Sequence, residues 1–164
     1  MLKEFKGLSP AETQSMYDAI PLITILVAGA DDDIDEVEIA EAERLTNIRS
    51  FNNLGHIIAY YDEVKEQLNE RIHTLSQELP DAAAQRQPVI AQRLSALNPI
   101  LQKMPQPFGY LYYKDFVSFA HHVAESHGGF MRYMTVGPKE AKVVDLPMLN
   151  PVAKPDPIDY PDLP

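Results

Sequence analysis

Cysteine is absent from this chain. Its absence excludes disulfide scaffolds and thiolate metal sites, and it fits a reducing compartment. Positive charge is scarce: 14 Lys and Arg stand against 24 Asp and Glu, a net charge of −10. Nucleic acid is gripped through Lys and Arg clusters on its phosphates, so this balance argues against it as a partner. It argues equally against an anionic membrane surface, and leaves basic proteins and divalent cations open. Long apolar runs are missing as well. The longest, Ile20 to Ala30, falls far short of a membrane span, and the opening MLKEFKGLSP lacks the apolar centre of a signal peptide. These absences together predict a soluble, cytoplasmic protein. Catalytic signatures are also lacking. There is no HExxH, no ExxH pair on two helices, and Gly128-Gly129 follows no strand and precedes no Lys in register for a phosphate loop. No convincing strand pattern occurs, so the expected fold class is all-α.

What is present is helical periodicity. The length of 164 residues suits one domain, and 45% apolar with 23% charged residues is an ordinary globular balance. Ser9-Pro10-Ala11-Glu12 reads as a capped helix start. Met16, Ile20, Ile23, Val27 and Ala30 follow at spacings of three and four, while Pro21 predicts a kink or a division into two. A second helix is expected from Asp35 to Ser50, with Ile34, Val37, Leu45 and Ile48 as its apolar positions and Glu36 and Glu43 facing water. Leu54, Ile57, Tyr61, Val64, Leu68, Ile72, Leu75 and Leu79 form one long stripe, with a bend near Tyr61-Asp62. Pro80 ends it, PDAAAQRQP connects, and Pro88 opens a helix striped by Ile90, Leu94, Leu97, Leu101 and Met104, bent at Pro99. The short link predicts an antiparallel hairpin over 54–104. A last large helix should run from Tyr110 to Ser126, followed by a loop and a short helix from Pro138 to Leu146. Residues 147–164 hold six prolines in eighteen positions and read as an extended or disordered tail. The expected architecture is a single domain, 1–146, of six or seven helices.

The stretch VAGADDDIDEVEIAEAERL, Val27 to Leu45, carries four Asp and four Glu in nineteen residues. Hard cations such as Ca²⁺ or Mg²⁺ take several oxygen ligands, and Asp31, Asp33, Glu38 and a backbone carbonyl are candidates to converge on one. Helix side chains lean toward the N-terminus, so Glu38 would point back at the turn. Against this, carboxylates are stabilised at a helix N-terminus by its partial positive charge, and the same dipole opposes a cation there. The EF-hand pattern fails, because counting from Asp31 its glycine is Glu36 and its closing Glu is Ala42.

The acidic stretch has a counterpart in VAESHGGFMRYMTVGPKEAKVVDL. Both begin with Val-Ala, pass a polar turn, and resume with an aliphatic residue four before a Glu: Ile34 with Glu38, Val136 with Glu140. This suggests two pseudo-repeated helical halves. Ala30-Asp31-Asp32-Asp33-Ile34 with Glu38 resembles the alanine-aspartate-glycine-x-isoleucine, then Glu, signature of the TerB-like (tellurite-resistance B) domain family. The resemblance implies an all-α fold of two similar halves with an acidic turn in each. It implies divalent-cation binding there, a stress or tellurite response, and no defined enzymatic reaction. Asp31, Asp33 and Glu38 would be the acidic positions of the first half, Glu125 and Glu140 those of the second. Asp32 replaces the family's Gly, and the second turn reads Glu-Ser-His-Gly-Gly with an insertion.

The expected function is therefore a non-enzymatic acidic module that binds a divalent cation or a basic partner. One alternative is an interaction protein that self-associates through the 54–104 hairpin. Another is a metal-dependent hydrolase using His121, Glu125 and His127 of HHVAESH, where His121 and Glu125 lie one helical turn apart. The aromatic cluster FGYLYYKDF reads as core rather than as a base-stacking surface, given a single nearby Lys114.

Overall fold

α1 (Pro10–Ala28) is the helix around which the others are arranged. The computed structural model describes residues 2–30, 34, 36–51, 57–125 and 143–163. Ser9 Oγ accepts from the Glu12 backbone at 3.3 Å, and Glu12 Oε2 accepts from the Ser9 backbone at 2.8 Å, closing the capping box. Every residue from Ala19 to Ala28 is buried. Such burial stabilises by roughly 1.5–3 kcal/mol per large aliphatic side chain. It also explains why Pro21 does not divide α1: a proline inside a helix costs about 3 kcal/mol, which packing on all sides exceeds.

Among the described residues six further α-helices follow, and no strand occurs. They are α2 (Glu36–Arg49), α3 (Ile58–Lys65), α4 (Leu68–Glu78), α5 (Ala83–Ser95), α6 (Leu97–Lys103) and α7 (Phe108–Glu125). The fold is all-α. α1 packs against α4 and α7 most extensively, then against α2, α5 and α6. Short 3₁₀ turns occupy Lys3–Phe5 and Val143–Asp145.

The stripe from Ile57 to Leu79 is buried throughout. It belongs to two helices, broken at Glu66-Gln67 rather than bent at Tyr61-Asp62. The break redirects the chain, since α3 packs on α2 and α4 packs on α1. α4 and α5 both take α1 as their chief partner, which consumes the apolar faces expected to meet in a hairpin. Arg71 clamps α4 to α1 by donating Nε and Nη2 to the two Asp18 carboxylate oxygens at 2.9 and 2.8 Å.

Three expectations on this side of the molecule are corrected. α5 begins at Ala83, five residues before Pro88, because Ala-Ala-Gln-Arg are strong helix formers and outweigh the bond that Pro88 removes. Pro99 is the third residue of a new helix, where its missing N–H has no intrahelical partner to lose. On α2 Leu45 is buried as expected, but Val37 and Ile48 are exposed, while Glu38, Ala42 and Arg49 face inward.

The core is aromatic at one end. Phe5, Tyr60, Tyr61, Tyr112, Phe116 and Phe119 are all fully buried. Tyr60 meets Tyr112 edge-on at a centroid distance of 5.0 Å and stacks with Tyr17 at 6.1 Å. α6 and α7 approach so closely that a Cβ on Gly109 would lie 2.1 Å from the Leu101 carbonyl oxygen, so only glycine fits there. Residues 147–163 form no α-helix and run along α6. Asn98 of α6 donates to the Met148 carbonyl at 3.0 Å and accepts from the Asn150 backbone at 2.8 Å. Leu149 and Pro155 are buried, so this segment contributes more apolar contact than its composition suggests.

Candidate functional site

The acidic turn leaves α1 through Gly29 and Ala30. Both carbonyls are held from α5. Arg86 Nη2 donates to the Gly29 carbonyl at 2.8 Å, and Gln87 Nε2 donates to the Ala30 carbonyl at 3.1 Å. Arg86 Nη1 also donates to the carbonyls of Asp81 and Pro80. A buried guanidinium thus covers the negative end of the α1 dipole, where positive charge is favourable. Space there is tight: a Cβ on Gly29 would lie 2.7 Å from the Ile25 carbonyl oxygen and 2.8 Å from Arg86 Nη2.

Beyond Ala30, Asp31, Asp33 and Glu140 lie outside the described residues, as does His127. The comparison of the two pseudo-repeated turns falls there too. Glu38 is in the first turn of α2, 4% exposed. Glu125 is exposed at the last residue of α7. Among the described residues no three His, Asp or Glu side chains converge as a metal site.

The histidines of α7 are drawn apart rather than together. His121 Nε2 lies 2.8 Å from Asp145 Oδ1, on the 3₁₀ turn that follows in the chain. His122 turns the other way, with Nδ1 3.1 Å from Arg49 Nη2 and 2.8 Å from the Ser118 carbonyl. The guanidinium only donates, so the first contact calls for the tautomer protonated on Nε2, whereas the carbonyl calls for the other. Of the residues carried by the hydrolase alternative, His121 is engaged by Asp145, Glu125 is exposed at the end of α7, and His127 lies outside the described residues.

Arg49 is the centre of a polar junction among α2, α3 and α7 that sequence reasoning missed. Its Nη1 sits 2.8 Å from Asp115 Oδ1 and donates to the Tyr61 hydroxyl at 3.2 Å and to the Asp115 carbonyl at 3.1 Å. Nη2 donates to Ser118 Oγ at 3.2 Å. The guanidinium carbon lies 5.6 and 5.4 Å from the Tyr61 and Phe119 ring centroids, within cation–π range. Tyr61 in turn donates its hydroxyl to Asp115. Burial works against the Arg49 charge, but Tyr61 and Asp115 outweigh it and hold its pKa above the ordinary value. Burial, then the Asp115 carboxylate, push the Tyr61 phenol well up. This cluster joins three helices through a satisfied buried charge, which is a structural role. One signal pointed to it: Asp115, Ser118 and His122 recur at three and four along α7.

Searches against protein-family models, characterised proteins and solved structures find no match for the chain. No helix among the described residues is long and apolar enough to cross a membrane.

Proposed function

We propose that this chain is a non-enzymatic helical binding module of the cytoplasm whose acidic α1–α2 turn and adjoining α2 face capture a basic, amphipathic segment of a protein partner. The outer face of α2 carries this reading. Val37, Ile48 and Phe51 are 41%, 43% and 72% exposed. Ile158, on the far tail, is the other large apolar side chain so exposed among the described residues. Val37 adjoins the densest run of carboxylates in the sequence and exposed Glu36 shares its helix, while Ile48 and Phe51 stand at the other end of α2. Apolar anchors bordered by negative charge suit a helix with an apolar stripe and Lys or Arg beside it. Lys65 Nζ already sits 4.8 Å from the Phe51 ring centroid, the contact a partner cation would reproduce.

A labelled Lys/Leu amphipathic helix tests this by fluorescence anisotropy. Binding should be clear at low salt, weaken as salt rises, and fall about tenfold in the Ile48→Ser, Phe51→Ser double variant. Absence of binding at low salt, or equal binding by the double variant, rejects the reading.

A divalent cation at the turn is the second reading, favoured by the carboxylate density and by the likeness of Ala30 to Ile34 and Glu38 to the TerB-like signature. The same likeness supports a setting in stress or tellurite response. Arg86 and Gln87 weigh against it, because they occupy the Gly29 and Ala30 carbonyls that an oxygen-seeking ion would use. Under this reading millimolar Ca²⁺, Mg²⁺ or Mn²⁺ raises the melting temperature, and Asp31→Asn with Asp33→Asn abolishes the rise.

A further inference from the structure

The opposite kind of charge collects at one place in this acidic protein. Most described basic side chains are engaged. Arg44, Arg49, Lys65, Arg71, Arg93 and Lys103 each meet a carboxylate, and Arg86 meets carbonyls. Lys3, Lys6 and Lys114 have no side-chain partner among the described residues. Lys3 and Lys6 line a single cavity of about 400 Å³, together with Lys103, Leu8, Met104 and Pro105.

The base of this cavity is firm. The 3₁₀ turn Lys3–Phe5 is tied down by Phe5, which is fully buried with ring centroids 5.5 Å from Tyr17 and 5.8 Å from Tyr112. Glu4 also lines the cavity and keeps its negative charge there; its Oε1 accepts from the Tyr112 hydroxyl at 3.0 Å, and the two lysines outnumber it. Lys103 is held by Glu12 at 2.5 Å, so the unspent positive charge is that of Lys3 and Lys6. An aromatic anchor thus fixes the backbone turn that carries Lys3 and Lys6, whose exposed side chains line the cavity beside Leu8 and Met104.

We propose that this cleft binds a small organic phosphate, with its phosphate between Lys3 and Lys6 and its apolar portion against Leu8, Met104 and Pro105. The cavity volume falls in the range of small-ligand sites, about 300–1,000 Å³. Lys is a compact charge with three donors and suits a phosphate approached from one side. The net charge of −10 repels an extended polyanion, so the ligand is a small molecule and neither a nucleic acid nor an anionic bilayer.

Phenyl phosphate is the probe, titrated into the whole chain at low ionic strength and followed by NMR. Saturable shifts should appear at Leu8 and Met104, and the Lys3→Gln, Lys6→Gln double variant should bind at least tenfold more weakly. Because neither lysine holds a partner among the described residues, the double variant should melt at the wild-type temperature, which separates lost binding from lost structure. The inference is overturned if the titration does not saturate, if the double variant binds equally well, or if inorganic phosphate binds as tightly as the phenyl ester.

Discussion

Arg86 on α5 and Gly29 at the end of α1 are joined by a hydrogen bond of 2.8 Å across 57 residues of sequence. The guanidinium caps the helix terminus from which the acidic turn departs. Arg86→Ala removes donors to three carbonyls and leaves a void where the side chain was buried. A loss of about 2–4 kcal/mol follows from hydrogen bonds to a charged group plus lost packing, measured as a lower urea midpoint. Gly29→Ala should also destabilise, because the new Cβ meets the Ile25 carbonyl at 2.7 Å. Wild-type stability in either variant contradicts the cap.

The Arg49–Asp115 pair makes a sharper demand. Both side chains are about one-tenth exposed and 2.8 Å apart. Removing one partner strands the other, at a cost of about 3–5 kcal/mol. Asp115→Leu and Arg49→Met should therefore each be severely destabilising, and the double variant should recover most of the loss. A double-mutant cycle by chemical denaturation reads the coupling directly. Additive losses show that the two charges act independently.

Short-range physics made part of this fold legible. The Ser9-Pro10-Glu12 start, the inward stripe of α1 and the extent of α7 all depend on neighbours three or four residues apart, and all are visible in the chain. The stripe Ile57–Leu79 was equally readable as buried, but its break at Glu66-Gln67 was not, because no Gly or Pro marks it and the cause lies in which helices α3 and α4 pack against. α2 misleads for a similar reason. Its inward positions include Glu38 and Arg49, and a charged residue looks inward only once its partner is known. Arg49 meets His122 across 73 residues, and His121 meets Asp145 rather than the neighbouring Glu125. The acidity of the α1–α2 turn was plain from the sequence, whereas its anchoring by Arg86 and the cleft between Lys6 and Lys103 arise from contacts that only folding creates.

High pH should expose the aromatic core. Burial raises the phenols of Tyr60 and Tyr61 well above the usual tyrosine value, and also that of Tyr112, where Glu4 adds to the effect. A group raised in the folded state stabilises fully below its unfolded pKa, near 10, and that stability drains away as pH climbs toward the folded value. Spectrophotometric titration should therefore show these three phenols ionising together with loss of helical circular dichroism above about pH 10. Smooth ionisation of every tyrosine in a still-helical protein contradicts their burial.

Glu12 contributes on the acid side. Lys103, at 2.5 Å, is the main cause of a pKa lowered to about 2, and the Ser9 backbone and hydroxyl add to it. A carboxylate depressed in the folded state stabilises fully above its unfolded pKa and loses that contribution as pH falls through the folded one. The window therefore runs from about pH 4.5 down to about pH 2. Glu12 lies at the surface, so salt should shrink the effect. Glu12→Gln should flatten the acid limb of a stability–pH curve in that window at low salt and change it little at high salt. Lys103→Met should raise the Glu12 pKa, followed by NMR titration, while leaving the Ser9 cap in place. If the Glu12 pKa does not move in Lys103→Met, the α1–α6 ion pair is absent in solution and the cap alone holds the carboxylate.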